Sequence, residues 1–400
     1  MKLPFLKALP VLEAIEEAGY EAYFVGGSVR DLLLNRDIHD VDIASSATPE
    51  EIKEIFPHTV DVGIIHGTVV VLYEGNSYEV TTFRSESEYE DFRRPSEVTF
   101  IRSLIEDLRR RDFTMNAIAM NKDGKLIDPF FGQEDIKNKT IKTVGSAKER
   151  FHEDALRMMR AVRFVSQLDF KIEKSTFLAL SRHGSLLRNI SVERITAEFE
   201  KLLSGSESQT AMKVLVETGM YQYLPGFENR NQEINDFLQL TILEDLSLEE
   251  YWVLLLFIFS LSPRDVENFM RVWKHPLKKI RRVKKGLFWL YERTDHDWTL
   301  DRVYLAGSEI AISTERLFNI LKHREVNLNV DMLEEKLASL PINERRELCV
   351  TGQDLMDWYE KQGGHWIEEK LLQIEKAVIY KEIENRKDSI KEWLLKCNQL

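Results

Sequence analysis

Residues 23–44, YFVGGSVRDLLLNRDIHDVDIA, are the stretch that decides the fold of the first part of this chain. Its apolar start, residues 23–25, is typical of a buried strand, and it ends at a pair of glycines. Gly26 and Gly27 have no side chain, so the backbone can turn sharply there and approach a ligand closely. A helix is predicted to follow with Arg30 in its first turn, where exposed amide groups favour an anion. The stretch therefore predicts a phosphate-binding turn between a strand and a helix.

Two carboxylates follow on the next predicted strand. Asp40 and Asp42 are two residues apart, so both side chains are expected on one face of that strand. Paired carboxylates beside a phosphate site are typical of Mg²⁺-dependent phosphoryl or nucleotidyl transfer. Such a pair is weak evidence alone, because Asp295 and Asp297 form another with no glycine turn nearby. The ordered combination of strand, glycine turn, helix and second strand carries the prediction.

The composition is that of a globular protein. The 400 residues are 43% hydrophobic and 30% charged, which predicts roughly two to four folding units. The apolar run 251–261 is too short for a membrane span, so it predicts a buried helix and no membrane partner. Cys349 and Cys397 are far apart and lack metal-ligand spacing, which favours a reducing, cytoplasmic location.

A second polar motif, RRDFTMNA, occupies residues 110–117. Together with the glycine turn and the aspartate pair, it resembles the DNA polymerase β-like nucleotidyltransferases. The resemblance is to the branch that holds tRNA nucleotidyltransferases and bacterial poly(A) polymerases. It implies that Arg111 contacts the incoming nucleotide and that Asp112 helps to read the ribose 2′-hydroxyl. Residues 128–145 resemble the third motif of this family, which connects the catalytic part to a helical part.

Residues 151–170, FHEDALRMMRAVRFVSQLDF, are predicted to form one helix. Asp154 and Arg157 are one turn apart on it, and Arg160 and Arg163 continue at the same interval. The spacing alone leaves open an ordinary surface ion pair. The order of the residues resembles the fourth family motif, in which one aspartate and one arginine read the base. By that resemblance Asp154 and Arg157 form the template for the base, while Arg160 and Arg163 add charge there or at the triphosphate.

Strand patterns are confined to the first part of the chain. Residues 68–73 and 78–83 predict a hairpin, whereas helical periodicity dominates from Glu149 onward. Residues 190–203 resemble the fifth family motif, with Glu193 and Arg194 bracing the helix that reads the nucleotide. The predicted fold class is α+β: a nucleotidyltransferase head with a mixed sheet, then an elongated all-α part. The implied domains are the catalytic head 1–148, the base-recognising neck 149–205, and the tRNA-binding body 206–310 and tail 311–400.

Two polar stretches leave alternatives open. Residues 84–102 are rich in both charges and predict a mobile loop; related CC-adding enzymes lack a loop here, which implies a part in the switch to ATP. The net charge is −12, yet seven cations lie within twelve residues, either as a solvated helix face or as a tRNA phosphate site. These candidate RNA-binding residues are Lys274, Lys278, Lys279, Arg281, Arg282, Lys284 and Lys285.

The resemblance implies that the chain adds and repairs the 3′-terminal CCA of tRNA with CTP and ATP, without a nucleic-acid template. Gly26, Gly27 and Arg30 would hold the triphosphate. Asp40 and Asp42 would hold two Mg²⁺ ions, one at the attacking 3′-oxygen and one at the leaving pyrophosphate. The alternatives are a CC-only or A-only enzyme, a bacterial poly(A) polymerase, and a non-catalytic RNA-binding protein, which the intact aspartate pair disfavours. The sequence leaves open whether the protein is a monomer or a homodimer.

Overall fold

The chain is divided into two compact units. The structure, a computed structural model, describes residues 2–63, 67–86, 89–90, 94–95, 98–240 and 246–396. The first unit is Met1–Asn231 and the second is Gln232–Leu400. Within the described residues, the strands lie in the first unit and the second unit is helical. The predicted α+β fold is confirmed, while the finer boundaries at residues 148, 205 and 310 stay predictions.

A mixed sheet organises the first unit. Seven strands form it among the described residues, in the order β11-β10-β1-β2-β5-β4-β3, and β2 and β5 are its parallel pair. The strands of the chain are β1 Ala22–Val25, β2 Asp42–Ser45, β3 Thr59–Gly63, β4 Thr68–Tyr73, β5 Asn76–Thr82, β6 Arg84–Glu86, β7 Tyr89–Glu90, β8 Arg94–Pro95, β9 Val98–Phe100, β10 Ala119–Met120, β11 Leu126–Ile127, β12 Thr140–Ile141 and β13 Lys171–Ile172.

The predicted hairpin is confirmed as β4 and β5. Glu74 and Gly75 connect the two strands with positive φ angles of 48° and 76°. Two successive positive φ angles are typical of the tight turn whose twist matches antiparallel strands. The hairpin places β5 between β4 and β2, so Glu79 is the register partner of Val70 on one side and of Asp42 on the other.

The loop predicted over residues 84–102 contains short paired strands in its described part, which the sequence did not predict. Its predicted mobility stays a prediction. β6 pairs with β9 in antiparallel register, from Arg84 with Phe100 to Glu86 with Val98. β7 pairs with β8 further out. Dense charge obscured the two-residue alternation of these short strands, and antiparallel pairing satisfies their backbone groups. Residues 87–88, 91–93 and 96–97 lie outside the described residues.

Ten helices precede the end of the first unit. They are α1 Leu3–Glu17, α2 Gly27–Leu33, α3 Pro49–Ile55, α4 Leu104–Arg109, α5 Gly132–Lys137, α6 Ala147–Glu153, α7 Leu156–Leu168, α8 Lys174–His183, α9 Val192–Leu203 and α10 Ser208–Glu217, counted among the described residues. The stretch 151–170 is therefore not one helix. Asp154 is extended (φ −137°, ψ 104°), and its carboxylate accepts the Leu156 amide at 3.0 Å. This side-chain contact competes with helix continuation and begins α7 anew.

The predicted helical remainder after residue 149 is confirmed, with one short strand, β13, among the described residues there. β13 lies beyond α7 and pairs in parallel with β12. The pairing joins the segment before α6 to the segment after α7. Leu104 and Leu108 of α4 pack with Val25, Ala44 and Phe83 against one face of the sheet. That packing places the second motif, which follows α4, next to the glycine turn after β1.

The second unit is built from helices α11 to α20 in its described part. They are α11 Asn231–Leu238, which begins at the unit boundary, α12 Leu248–Ile258, α13 Val266–Val272, α14 Leu277–Asp295, α15 Leu300–Ala306, α16 Ser308–Leu321, α17 Val330–Ala338, α18 Gly352–Tyr359, α19 His365–Ile379 and α20 Lys387–Lys396. The predicted buried helix is α12, capped by Ser247 and Glu250. No helix within the described ranges is long and apolar enough to cross a membrane.

Candidate active site

One cavity in the first unit collects most of the residues predicted from the sequence. It has a volume of about 480 Å³. Ten of the eleven predicted catalytic and nucleotide-binding residues line it, and Asp40 is the exception. The lining residues are Gly26, Gly27, Arg30, Asp42, Arg110, Arg111, Asp112, Asn116, Asp154, Leu156, Arg157, Arg160, Arg163, Phe164 and Arg194.

The glycine turn forms one wall of this cavity. Gly26 has φ +74°, a conformation that side-chain-bearing residues rarely adopt. A Cβ atom on Gly26 would lie 3.3 Å from Nη1 of Arg111 and 3.5 Å from Oδ2 of Asp42. The absent side chain thus brings a guanidinium and a carboxylate close to the same backbone. α2 begins at Gly27, directly after this turn.

The aspartate pair is arranged differently from the prediction. β2 begins at Asp42, so Asp40 precedes the strand and is exposed. Burial raises the pKa of Asp42, and the negative charges of Glu79 and Asp40 raise it further against the opposing charge of Arg111. Glu79, the register partner of Asp42 on β5, was not identified from the sequence because strand pairing brings the two together. Crowded carboxylates of this kind favour a bound cation.

The carboxylates suit a hard cation that takes oxygen ligands. Among the described residues, the side chains of Asp40 and Asp42 form no hydrogen bond or ion pair. No group of three or more His, Cys, Asp or Glu side chains that could hold a metal is present in the same part of the chain. Mg²⁺ usually binds through one or two carboxylates together with substrate phosphates and water. Asp42, which lines the cavity, and Asp40, which lies two residues before it outside the lining, fit that pattern of binding.

A buried carboxylate supports two arginines of the second motif. Asp107 is 1% exposed, and it pairs with Nη2 of Arg110 at 2.8 Å and with Nη2 of Arg111 at 3.1 Å. Burial alone would raise the pKa of Asp107, but the two guanidinium groups lower it below its usual value. Nε of Arg111 is buried without a hydrogen-bond partner in the part of the chain that the structure describes. The guanidinium of Arg111 is thus held by Asp107 at one end, while its Nη1 lies near the backbone of Gly26 at the cavity wall.

Asp112 is more fully engaged than the sequence predicted. Its Oδ1 accepts from the Phe113 amide at 2.8 Å and from Nδ2 of Asn116 at 3.0 Å. Its Oδ2 accepts from Nε and Nη2 of Arg160 at 2.8 and 2.6 Å. Although burial opposes it, the charge of Arg160 and the Asn116 bond hold the pKa of Asp112 well below its usual range. A ribose hydroxyl would have to share a carboxylate that already accepts four hydrogen bonds.

Asp154 and Arg157 both line the cavity, but their side chains have different partners. Arg194 holds Asp154 through two hydrogen bonds, with Nη2 to Oδ2 at 2.7 Å and Nη1 to Oδ1 at 3.2 Å. Arg157 donates to Oε2 of Glu153 at 2.6 Å and to the carbonyl of Arg110 at 2.9 Å. The predicted pair on one helix is thus two side chains held separately at the junction of α6 and α7. Of Glu193 and Arg194, which were predicted to brace this helix, Arg194 is the one that contacts Asp154.

An aromatic ring organises three of the arginines. Cζ of Arg163 lies 4.0 Å from the centre of the Phe164 ring, and those of Arg30 and Arg160 lie at 5.1 and 5.6 Å. Guanidinium groups at such distances are attracted by the ring. Arg163 is further held by Glu198 of α9, with Nε and Oε2 2.5 Å apart. Phe164 was not identified from the sequence, because no motif residue type marks its position.

The charges of the cavity decide which class of ligand it suits. Its lining includes seven arginines and three aspartates. Guanidinium groups offer several fixed donors that match phosphate oxygens, so the surplus favours a polyanion. A nucleoside triphosphate fits this charge distribution, because the arginines suit its phosphates. The carboxylate of Asp154 and the guanidinium of Arg157 then offer an acceptor and a donor for its base.

Comparisons with known proteins identify the family. Three family models match: the poly A polymerase head domain over residues 22–142, the probable RNA and SrmB-binding site of polymerase A over 169–230, and the putative domain 2 of tRNA nucleotidyltransferases over 246–394. The chain is 50% identical over 399 residues to a CCA-adding enzyme of Geobacillus sp. (strain WCH70), covering 100% of this chain and 98% of the relative. The chain belongs to the CCA-adding enzyme family.

Two further relatives of this CCA-adding family support the assignment. A CCA-adding enzyme of Bacillus cereus (strain B4264) is 47% identical over 99% of both chains. The crystal structure of the Bacillus stearothermophilus CCA-adding enzyme in complex with CTP matches with a TM-score of 0.92 at 44% identity. That match covers 100% of this chain and 98% of the other. The family resemblance drawn from the motifs is thereby confirmed.

The cations predicted to bind RNA lie in the second unit, on α14 and just before it. Lys278, Arg281 and Lys284 are exposed on α14. Arg282 instead pairs with two acidic side chains, Glu249 and Glu309. The seven cations are therefore not equivalent. Five of them are exposed, namely Lys274, Lys278, Arg281, Lys284 and Lys285. Lys278, Arg281 and Lys284 follow one another at intervals of three residues along α14, so these three are the better candidates for phosphate contacts.

We expect charge reversal at these three positions to weaken tRNA binding and to leave CTP binding unchanged. Phosphate contacts release counterions, so each lost contact should flatten the dependence of log affinity on log salt by about one unit. The measurement is tRNA affinity between low and moderate salt for the triple variant Lys278→Glu, Arg281→Glu and Lys284→Glu. A control with equal charge change at exposed sites of the first unit, outside the residues 169–230 that match the probable RNA-binding site, is Lys7→Glu, Lys125→Glu and Lys137→Glu. An affinity and slope equal to the control would identify a solvated helix face.

Proposed function

We propose that this protein adds and repairs the 3′-terminal CCA of tRNA, using CTP and ATP and releasing pyrophosphate without a nucleic-acid template. One observation carries the proposal. A single cavity joins the glycine turn, the carboxylate of Asp42 and the side chains of Asp154 and Arg157. Family membership at 50% identity over the whole chain supports the same reaction.

The proposed reaction is the transfer of a nucleotidyl group to RNA. The RNA 3′-hydroxyl attacks the α-phosphorus of CTP or ATP, the bond to the β-phosphate oxygen breaks, and pyrophosphate leaves. Gly26 and Gly27 let the backbone approach the triphosphate, and Arg30 and Arg111 neutralise its charge. Holding both reactants in line is the main task of the protein, because phosphoryl transfer needs little covalent chemistry from it.

Asp42 and Asp40 are the residues that would hold Mg²⁺, and Glu79 adds negative charge beside them. Bound Mg²⁺ supplies activation of the 3′-oxygen and stabilisation of the departing pyrophosphate charge. Asp42 would bind the cation in its ionised form. Without a cation, burial and the negative charges of Glu79 and Asp40 disfavour that form and raise the pKa of Asp42. Binding of Mg²⁺ should therefore weaken as the pH falls through the raised pKa of Asp42.

The proposed base contacts come from Asp154 and Arg157, whose side chains are held in place by other residues. Asp154 is oriented by Arg194, and Arg157 by Glu153 and the Arg110 carbonyl. An ionised aspartate accepts from the exocyclic amine of cytosine or adenine, and an arginine donates to the neighbouring ring nitrogen. Uracil and guanine present the reverse pattern. This arrangement accounts for one site that takes both CTP and ATP.

The deciding experiment separates complete from partial addition. We expect tRNA that ends at the discriminator base, incubated with labelled CTP and ATP, to gain CCA, and to stop at CC when ATP is omitted. Sequencing of the 3′ ends distinguishes this outcome from a CC-only enzyme, an A-only enzyme and the long adenosine tails of a poly(A) polymerase. Unchanged 3′ ends would leave only RNA binding. The part of strands β6–β9 in the switch to ATP, the cytoplasmic location and the choice between monomer and homodimer stay predictions.

A further inference from the structure

Asn116 links two parts of the cavity that come from different elements. It ends the short 3₁₀ turn Thr114–Asn116 and is 7% exposed. Its Oδ1 accepts from Nη1 of Arg30 on α2 at 2.8 Å. Its Nδ2 donates to Oδ1 of Asp112 at 3.0 Å. One amide thus joins the arginine beside the glycine turn to the aspartate of the second motif.

The chemistry of an amide is matched to this position. Arg30 can only donate and ionised Asp112 can only accept, so the side chain between them needs one acceptor and one donor. A carboxylate at position 116 would face Asp112 with like charge, and an ammonium group would face Arg30 with like charge. The two neighbours also determine the amide orientation, since the flipped amide would set donor against donor and acceptor against acceptor.

The connection continues from Asp112 to Arg160 of α7. Asp112 accepts two hydrogen bonds from Arg160, so Arg30, Asn116, Asp112 and Arg160 form one hydrogen-bonded chain. Both guanidinium groups at its ends lie over the ring of Phe164. Like charges so close repel each other, and a fixed chain of donors and acceptors holds their spacing. Arg30 also donates two hydrogen bonds to the carboxylate of Asp31, the next residue on α2.

We propose that Asn116 is a positioning residue for nucleotide binding, which holds Arg30 and Arg160 at one spacing around the same nucleotide. Asn116 acts through these arginines. The inference rests on the proposed function, because it requires both arginines to contact CTP or ATP. Its consequence is coupling: the benefit of Asn116 depends on the presence of Arg30.

The test is a double-mutant cycle on CTP binding and on the kinetics of CMP addition to tRNA. A hydrogen bond to a charged group typically corresponds to about a tenfold change in affinity or more. Asn116→Leu should therefore raise the CTP Kd and KM by about tenfold or more, with a smaller effect on kcat. The same substitution should raise the CTP Kd clearly less in an Arg30→Ala background, where only the contact of Asn116 with Asp112 remains. Multiplication of the two single effects in the double variant would overturn the proposal.

Two further variants separate positioning from folding. Asn116→Asp is nearly isosteric and keeps an acceptor for Arg30, but it opposes Asp112 with like charge, so it should also raise the CTP Kd. A Kd equal to that of the wild type in this variant would contradict the bridge. Thr114→Val is the control, because Thr114 lies on the same turn and donates to Asp135 at 2.6 Å. It should leave the CTP Kd unchanged, and an equal rise there would assign the effect to the turn and overturn the proposal. Failure of the proposed function would differ, since wild-type protein itself would then add no CMP.

Discussion

Replacing Asp42 with alanine should abolish addition of CMP and AMP to tRNA while tRNA binding persists. Asp42 lies at the cavity wall beside Gly26 and is the partly buried member of the aspartate pair. Stabilisation of charge by a metal is worth several kcal/mol, so its loss corresponds to a rate reduction of about 10³-fold or more. Single-turnover incorporation with saturating CTP and Mg²⁺ measures the effect. Wild-type turnover in the variant would remove Asp42 from the proposed mechanism.

The stability of a second variant shows whether loss of activity reflects loss of folding. Burial and the charges of Glu79 and Asp40 raise the pKa of Asp42 in the folded state. Such a group adds stability below its unfolded pKa and loses that contribution as the pH rises through the folded pKa. Asp42→Asn should therefore have a Tm at neutral pH no lower than the wild type without metal, yet remain inactive. Asp37→Ala, which changes an exposed aspartate outside the cavity lining, should retain activity.

Substitution of Asp154 or Arg157 should change which nucleotides are used. Both side chains line the cavity, and each is held by different residues. A good bidentate base contact contributes about 1–3 kcal/mol of discrimination, or about 5- to 150-fold. Asp154→Ala and Arg157→Ala should lower kcat/KM for CTP and ATP by a factor in this range. Rejection of UTP and GTP should be relaxed, because the mismatch with their carbonyl and N–H groups disappears.

The measurement is kcat/KM for all four nucleotides on tRNA that ends in one C. An equal loss for all four, with the preference for C and A intact, would make the two residues structural and place the template elsewhere. Asp169→Ala is the matched control. Asp169 directly follows α7, the helix that carries Arg157, and its exposed side chain pairs with Lys139 at the surface. It should leave all four values close to those of the wild type.

The sequence by itself determined the elements whose cause is local. The turn at Gly26 follows from the absence of a side chain where φ is +74°, and the β4–β5 hairpin follows from its turn residues and alternation. The motifs also determined the residues of the cavity, because residue type and order within a short segment carry that chemistry. Ten of the eleven predicted catalytic and nucleotide-binding residues line it for this reason.

Only the tertiary structure decided which charged groups meet. Arg194 reaches Asp154 across 40 positions, and Arg160 reaches Asp112 across 48. Strand pairing brings Glu79 beside Asp42, and the break in the helix at Asp154 separates it from Arg157. Periodicity reports which face of an element is apolar, but a long arginine side chain pairs with whichever acceptor packing brings within about 3 Å. Residues distant in the chain are brought that close by the folded core alone, so the partners of these arginines could not be predicted from local pattern.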